Sequence, residues 1–95
     1  MSLIVRVTAS VTSSVGAPTL LDLEVYGPNG ERWFQHWSGT VQVKPGVTEI
    51  LVGTWTPPLT APLGTYVVKV GVFWPDWGGM LHWNNFATSF AFEGP

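Results

Sequence analysis

The sequence predicts an all-β fold, an immunoglobulin-like or fibronectin-like antiparallel β-sandwich in which residues 1–95 form a single domain. About seven short segments alternate between apolar and polar side chains, with turn signals about every 8 to 12 residues. No segment repeats with the 3.6-residue period of an amphipathic helix. A chain of 95 residues is also long enough for only one small core. An open β-barrel is the alternative architecture.

The first strands lie in the N-terminal half. Residues 3–11 place leucine, valine and alanine at every second position, which predicts a half-buried strand. Residues 21–25 alternate in the same way. The sequence Gly-Pro-Asn-Gly at residues 27–30 then predicts a reverse turn into a strand over residues 31–38, so these segments form the first hairpin.

The middle of the chain contains two further strands. A short strand is predicted over residues 40–43, and Lys-Pro-Gly at residues 44–46 favours a type II turn, because proline presets the first central φ and glycine tolerates a positive second one. Residues 48–56 form the next strand. Prolines in residues 57–64 cannot donate to a β-ladder, so this segment is predicted to connect the two sheets outside the ladders.

The C-terminal third contains the strongest strand signal, over residues 65–73. A long loop rich in glycine and tryptophan is predicted over residues 74–85, and residues 88–92 form the closing strand. The core side of the strongest strand is predicted to consist of Tyr66, Val68, Val70 and Val72.

Composition excludes several classes of partner. Charged residues make up 11% of the chain, against a usual ~25%, and the net charge is −2. Four basic residues are too few to neutralise several phosphates, so we predict no nucleic-acid partner. No apolar run approaches the ~20 residues of a membrane span, and residues 1–6 lack the pattern of a signal peptide, so we expect no membrane partner. The chain has no cysteine, and therefore redox chemistry does not indicate a compartment.

Aromatic residues are the most informative feature. The chain has six tryptophans, five phenylalanines and two tyrosines, and each aromatic needs about 150 to 250 Å² of cover when it is buried. A core this small also has to hold many valines and leucines. Several indoles are therefore predicted to be exposed, and exposed aromatic clusters usually mark binding surfaces.

The first candidate site lies on the strand over residues 31–38. Alternation places Trp33, Gln35 and Trp37 on one face, which we predict to be the outer one, with Phe34 inward. Residues four apart in a strand are roughly 13 Å apart, so the two indoles would underlie separate sugars of an extended glycan. The alternative is that Trp33 or Trp37 is the buried tryptophan common in immunoglobulin folds.

The second candidate site lies in residues 74–85. Indoles stack on the C–H face of a pyranose, while carboxylate, amide and imidazole groups hydrogen-bond to its hydroxyls. The alternative is a loop that packs on its own aromatics, with Trp83 as a packing residue. Lys69 would stand beside a shallow cleft above Gly71, and Trp55 is predicted to be structural. The candidate ligand-binding residues of this region are Trp74, Asp76, Trp77, His82, Trp83, Asn84 and Asn85.

Catalysis is not predicted. Glycoside hydrolysis usually needs two carboxylates across the scissile bond, and of six acidic residues only Asp76 lies among the aromatics. Asp22 and Glu24 share a strand face, and we expect them to be a solvated pair. The chain offers no nucleophile triad and no phosphate-binding loop. His36 and His82 are too far apart in sequence to suggest a metal site, so we expect neither metal nor cofactor.

The chain resembles a known class of modules over residues 64–73, at Pro75-Asp76-Trp77-Gly78 and at His82-Trp83-Asn84-Asn85. It resembles the small immunoglobulin-like modules attached to secreted bacterial cellulases and related glycoside hydrolases, and it looks closest to the β-glucan-binding modules of carbohydrate-binding module family eighty-one. The resemblance implies an extracellular, non-catalytic module that holds its enzyme on cellulose, mixed-linkage glucan or xyloglucan. The binding residues that it implies are Trp77, His82, Trp83 and Asn84.

Two other functions are compatible with the sequence. A structural spacer would pack its aromatics against a neighbouring catalytic domain. A protein-binding adhesion module is the third option, because tryptophan also anchors protein interfaces.

Overall fold

Seven antiparallel strands form two sheets in the computed structural model, which describes residues 4–14 and 16–93. The predicted all-β sandwich is confirmed. A short 3-10 turn over Pro75–Trp77 is the single helical element in this part of the chain. The strands are β1 (Val5–Thr12), β2 (Ala17–Tyr26), β3 (Arg32–Trp37), β4 (Val41–Val43), β5 (Thr48–Trp55), β6 (Gly64–Phe73) and β7 (Met80–Phe92).

The two sheets differ in width. The small sheet contains β1 and β5, and the large sheet has the order β3-β2-β6-β7, with β4 paired to the start of β2. The strands β2 and β3 form the predicted hairpin, whose turn is closed by the Gly30 N–H donating to the Gly27 carbonyl at 3.0 Å. The proline-rich segment between β5 and β6 connects the two sheets, as predicted.

The predicted type II turn after β4 is consistent with the structure. The Val47 N–H donates to the Lys44 carbonyl at 3.1 Å, and Gly46 has a φ of 74°. A positive φ at this position is why the turn requires glycine.

The predicted loop over residues 74–85 is wrong. Only residues 74–79 form a turn, and β7 begins at Met80. The pairs Gly71 with Trp83 and Val72 with His82 place this stretch in the ladder with β6. Its glycines and asparagines suggested a loop, but its large side chains favour a strand when a neighbouring edge is there to pair with.

A row of aromatic rings, the aromatic core, fills the space between the sheets. Phe34 stacks on Trp55 with 6.2 Å between ring centroids, and Tyr66 lies 5.8 Å from Trp55 and 5.6 Å from Phe90. Trp55 and Tyr66 are buried, which confirms the structural role predicted for Trp55. The predicted core strand is confirmed as well, since the side chains of Val68, Val70 and Val72 belong to or pack against this core.

The hydroxyl of Tyr66 fixes the corner where the chain enters β6. It donates to the Pro62 carbonyl at 2.7 Å, four residues upstream, while the ring is fully buried. The same arrangement, a tyrosine near the start of a strand that bonds back to the upstream backbone, is the tyrosine corner of immunoglobulin-like sandwiches. A buried hydroxyl that would otherwise be costly is thereby satisfied.

The outward orientation predicted for Trp33 is wrong. The register between β2 and β3 shifts between Val25, which pairs with Phe34, and Tyr26, which pairs with Arg32, so Trp33 is an extra residue in β3. A bulge of this kind interrupts the alternation of side chains. Trp33 is therefore half-buried and packs against the core together with Phe34.

Candidate functional site

Four aromatic side chains form a continuous cluster on the outer side of the large sheet, here called the aromatic face: Trp37, Phe73, Trp77 and Trp83. The ring of Trp77 is the centre of this cluster. Its centroid lies 6.0 Å from Trp37 at an interplanar angle of 66°, and 4.9 Å from Phe73. Phe73 in turn contacts Trp83 edge-on at 6.4 Å. The cluster thus joins residues from β3, β6, β7 and the turn before β7.

Strand register brings these rings together. Trp37 pairs with Asp22 on β2, Asp22 also pairs with Gly71 on β6, and Gly71 pairs with Trp83 on β7. Residues directly opposite each other in antiparallel strands lie on the same face of a sheet. Trp37 and Trp83 therefore lie on the same side as Asp22.

Gly71 allows Trp83 to lie close to the sheet. A Cβ atom at this position would stand 2.7 Å from Cε3 of Trp83 and 2.6 Å from Cε1 of Phe73. The cleft expected above Gly71 is therefore filled by two aromatic rings. Trp83 is only half-buried in this position, and its indole N–H donates to Oδ1 of Asn85 at 3.3 Å.

The turn that carries Trp77 is conformationally unusual, and we call residues 74–79 the Trp77 turn. The Trp74 N–H donates to the Gly79 carbonyl at 2.8 Å and closes it. Asp76 and Trp77 have φ values of 58° and 60°, the only positive ones at non-glycine residues in the described chain. Such conformations cost of order 1–3 kcal/mol each, and they concentrate at functional sites.

Two indoles of the aromatic face are open to solvent. Trp37 has 51% of its surface exposed and Trp77 has 43%. The prediction that some tryptophans must remain exposed is confirmed, since Trp74 is also 45% exposed. Of the remaining three indoles, Trp33 and Trp83 are half-buried and Trp55 is buried.

Beside the aromatic face lies a pair of buried carboxyl groups, Asp22 and Glu24, here called the buried acid pair. We expected a solvated pair, and that expectation is wrong, because β2 lies between β3 and β6 and is covered on both faces. The Gln35 amide donates to Oδ1 of Asp22 at 3.0 Å and to Oε2 of Glu24 at 3.2 Å. The Tyr26 hydroxyl donates to Glu24 at 2.6 Å, whereas Oδ2 of Asp22 is buried without a partner.

The two carboxyl groups of this pair differ in their pKa. Burial, followed by the neighbouring Glu24, raises the pKa of Asp22 to about 7. Burial alone would also raise the pKa of Glu24, but its interactions with Asp22, with the Tyr26 hydroxyl and with the Arg32 guanidinium 3.8 Å away lower it instead. Below about pH 7 Asp22 therefore keeps its proton, and Glu24 carries the charge of the pair.

Gln35 and Lys69, two residues of the predicted site, contact other side chains of the large sheet. The Gln35 side chain lies on the outer face, as predicted, but both of its donor bonds go to the buried acid pair. The Lys69 ammonium lies over the Tyr26 ring, 4.2 Å from its centroid. Neither group is directed toward open space above the aromatic face.

Three other predicted site residues lie away from the aromatic face. His82 and Asn84 pair with Val72 and Val70, so they belong to the inner face of the large sheet. Together with Trp74 they line an open groove that runs along β1, opposite the edge where β1 pairs with β5. The structure thus divides the predicted cluster of residues 74–85 between two surfaces, because neighbouring residues in a strand point to opposite faces. Asp76 is exposed on the Trp77 turn, and Asn85 lies beside Trp83.

Sequence reasoning missed the buried acid pair. A partial signal was available, since counting back from the turn at residues 27–30 without a bulge places Gln35 opposite Asp22, on the same strand face as Glu24. The shifted register of the hairpin then places Gln35 opposite Glu24. An amide opposite a carboxylate, with a tyrosine two residues further along the same face, indicates a polar network rather than a solvated edge.

The described residues do not support two other kinds of site, a metal centre and a membrane-spanning helix. No group of three or more histidine, aspartate or glutamate side chains could hold a metal ion in residues 4–14 and 16–93. In the same part of the chain, no helix is long and apolar enough to cross a membrane.

Comparison with known proteins adds no assignment. No protein-family model matches the chain, and no curated protein matches it. The resemblance to β-glucan-binding modules stays a prediction that rests on the motifs quoted above.

Proposed function

We propose that this domain is a non-catalytic carbohydrate-binding module that binds β-glucan chains on the aromatic face. The observation that carries the proposal is the pair Trp37 and Trp77, two adjacent indoles that are each about half exposed on a sheet surface. A folded domain of this size gains nothing in stability from leaving so much indole surface in water, so a partner with a matching surface is expected.

The chemistry of the aromatic face suits a sugar. Pyranose rings present C–H groups that pack on indole faces, and polar groups at the rim can hydrogen-bond to hydroxyls. Two exposed polar residues lie near these indoles: Asp76 directly precedes Trp77, and Asn85 follows Trp83 by two positions. They can serve as rim hydrogen-bond partners.

The expected affinity is modest. Each covered indole face removes some tens of Å² from water, which is worth about 1 kcal/mol at ~25 cal/mol/Å². Two or three such contacts have to offset the entropy of association. We expect a Kd of roughly 10 to 1,000 μM for a soluble oligosaccharide, about −4 to −7 kcal/mol.

Isothermal titration calorimetry with cellopentaose tests this proposal. In the Trp77→Ala variant we expect affinity to fall about tenfold or more, because one stacking contact is lost and the contact of Trp77 with Trp37 is lost with it. Trp37→Ala should weaken binding by a similar factor.

Trp74→Ala is the matched control, because Trp74 is as exposed as Trp77 yet lines the groove on the other side of the large sheet. Its affinity for cellopentaose should equal that of the wild type. Unchanged binding in both Trp37→Ala and Trp77→Ala, or no binding of cellopentaose, mixed-linkage glucan or xyloglucan oligosaccharides by the wild type, contradicts the proposal.

The biological role follows from the same surface. We propose that the module works outside the cell, attached to a glycoside hydrolase, and raises the concentration of that enzyme on its polysaccharide. A fusion to a glucanase should then bind insoluble glucan in a pull-down, and the Trp77→Ala fusion should remain in the supernatant.

A further inference from the structure

A groove runs along the free edge of β1, on the side of the molecule away from the aromatic face. Three adjoining cavities of about 410, 450 and 430 Å³ form it. Thr8 and Val68 line both the first and the third cavity, and Val11 and Val72 line both the first and the second. The groove therefore extends along the whole of β1.

The groove exists because the two sheets differ in width. Among the described residues, β1 pairs with β5 alone and β7 pairs with β6 alone, so neither strand has a neighbour on the groove side. The inner-face residues His82, Asn84 and Thr88 of β7 are consequently exposed. One more strand beside β1 would cover them.

The free edge of β1 specifies the shape of an occupant. In an antiparallel pair, every second residue directs its N–H and C=O groups away from the partner strand. Over the eight residues of β1 these groups form a row of about 27 Å with the spacing of a β-ladder. Only another extended polypeptide presents matching donors and acceptors at that spacing.

The walls of the groove specify the side chains of the occupant. Its floor is formed by the partly exposed Val70 and Val72, next to the buried Val68, and these residues favour apolar side chains at every second position of a bound strand. Among the described residues that line the three cavities, Arg6 is the one charged residue, so a largely uncharged segment fits.

A second folded copy of this chain does not fit as well. In a copy, Val7 and Ala9 of β1 are already buried in that copy's own core. Two β1 strands could pair edge to edge, but no side chains would then enter either groove. A segment that is extended and unfolded before binding can supply both the backbone pairing and the apolar side chains.

We propose that the open groove is a strand-addition site, in which an extended, uncharged segment of a partner polypeptide pairs with β1 and places apolar side chains against Val70 and Val72. This site is independent of the aromatic face. Glucan binding and strand addition can therefore succeed or fail separately.

Amide hydrogen exchange of the labelled protein tests this proposal, with a capped peptide of four threonine–valine repeats between two lysines as the probe. The expected result is slower exchange at alternate residues of β1 and a rise in Tm of about 4 °C or more at saturating peptide. A control peptide with eight prolines between the two lysines has no N–H in its central segment to donate to the ladder and should have no effect.

Two variants give the test its specificity. Thr88→Lys introduces a bulky charge at an exposed position of the groove wall, and it should weaken peptide binding about tenfold or more. Trp77→Ala should leave peptide binding unchanged. The proposal is overturned by protection of β7 instead of β1, by an equal effect of the proline peptide, or by no binding at about 1 mM peptide. Concentration-dependent protection of β1 without peptide would also overturn it, since it would identify a second copy as the occupant.

Discussion

The aromatic core and the aromatic face contain the same residue types, but the central rings are buried in the core and two indoles are exposed on the face. In the core, Trp55 and Tyr66 are buried, and the one hydroxyl among these rings is bonded to Pro62. On the face, Trp37 and Trp77 remain about half exposed, and Trp77 sits on a turn with two left-handed residues. Rings that fill the space between the sheets therefore stabilise the fold, whereas rings held outside at a conformational cost are available to a ligand.

The aromatic core and the aromatic face should differ most clearly in how much each contributes to the free energy of unfolding. Trp55→Ala should lower the free energy of unfolding by about 3–5 kcal/mol, because it leaves a cavity between Phe34 and Tyr66. Trp77→Ala should lower it by about 1 kcal/mol or less, because the ring is already half in water. Urea unfolding of both variants measures the difference. Equal losses would mean that the aromatic face is a structural element.

The second effect concerns pH and the buried acid pair beside the aromatic face. In the unfolded chain Asp22 ionises near its ordinary pKa of 3.8, whereas in the folded state its pKa is about 7. The folded state therefore holds more protons in this window, and stability should fall as pH rises from about 4 to about 7, by an amount on the order of 4 kcal/mol. Above pH 7 the contribution of Asp22 should be level.

Asp22→Asn is the control for this pH dependence, because asparagine keeps the size and stays neutral. Urea unfolding at pH 5 and at pH 8 should give nearly equal stabilities for this variant. A wild-type decrease that persists in Asp22→Asn would show that another group causes it. Glu24 acts in the opposite direction, since its lowered pKa makes stability fall as pH drops below about 4.5.

A smaller effect is expected at the tyrosine corner of the aromatic core. Tyr66→Phe removes the bond to the Pro62 carbonyl but keeps the ring, so stability should fall by about 1 kcal/mol. Thermal unfolding measures this loss. Cellopentaose affinity should be unchanged, and a change in affinity would mean that core and face are coupled.

The smallest effect is expected on the Trp77 turn. Glycine adopts a positive φ without steric cost, so Asp76→Gly should raise stability by about 0.5–1 kcal/mol, whereas Asp76→Ala should lower it. The pair of variants has to be compared by thermal unfolding under one condition. If glycine is no better than alanine at this position, the turn is not strained there.

Much of the fold was predictable because alternation reports directly on which side of a strand is buried. The core residues Tyr66 and Val68 and the turn at Gly46 followed from such local patterns. Trp33 did not, because a bulge in β3 changes its orientation without any change in the residue pattern. Where β7 begins depends on pairing with β6, which residues 80–85 do not reveal on their own.

Only the residue types of the candidate site could be predicted from the sequence, and their arrangement could not. Composition indicated exposed indoles, and Trp37 and Trp77 are exposed. Which indoles meet was not accessible, because Trp37 and Trp77 are 40 positions apart in the chain and are joined by the register of β2, β3 and β6. The assignment of His82 and Trp83 to opposite surfaces likewise depends on their being in a strand.

The angle between Trp37 and Trp77 limits the shape of a ligand that can contact both rings at the same time. Two planes that meet at 66° cannot lie flat against a single planar surface. The face of a cellulose crystal is planar, so it could cover one of these indoles but not both. A free chain that turns between successive residues can follow the angle, and the proposed glucan site should therefore favour dissolved or disordered glucan over crystalline material.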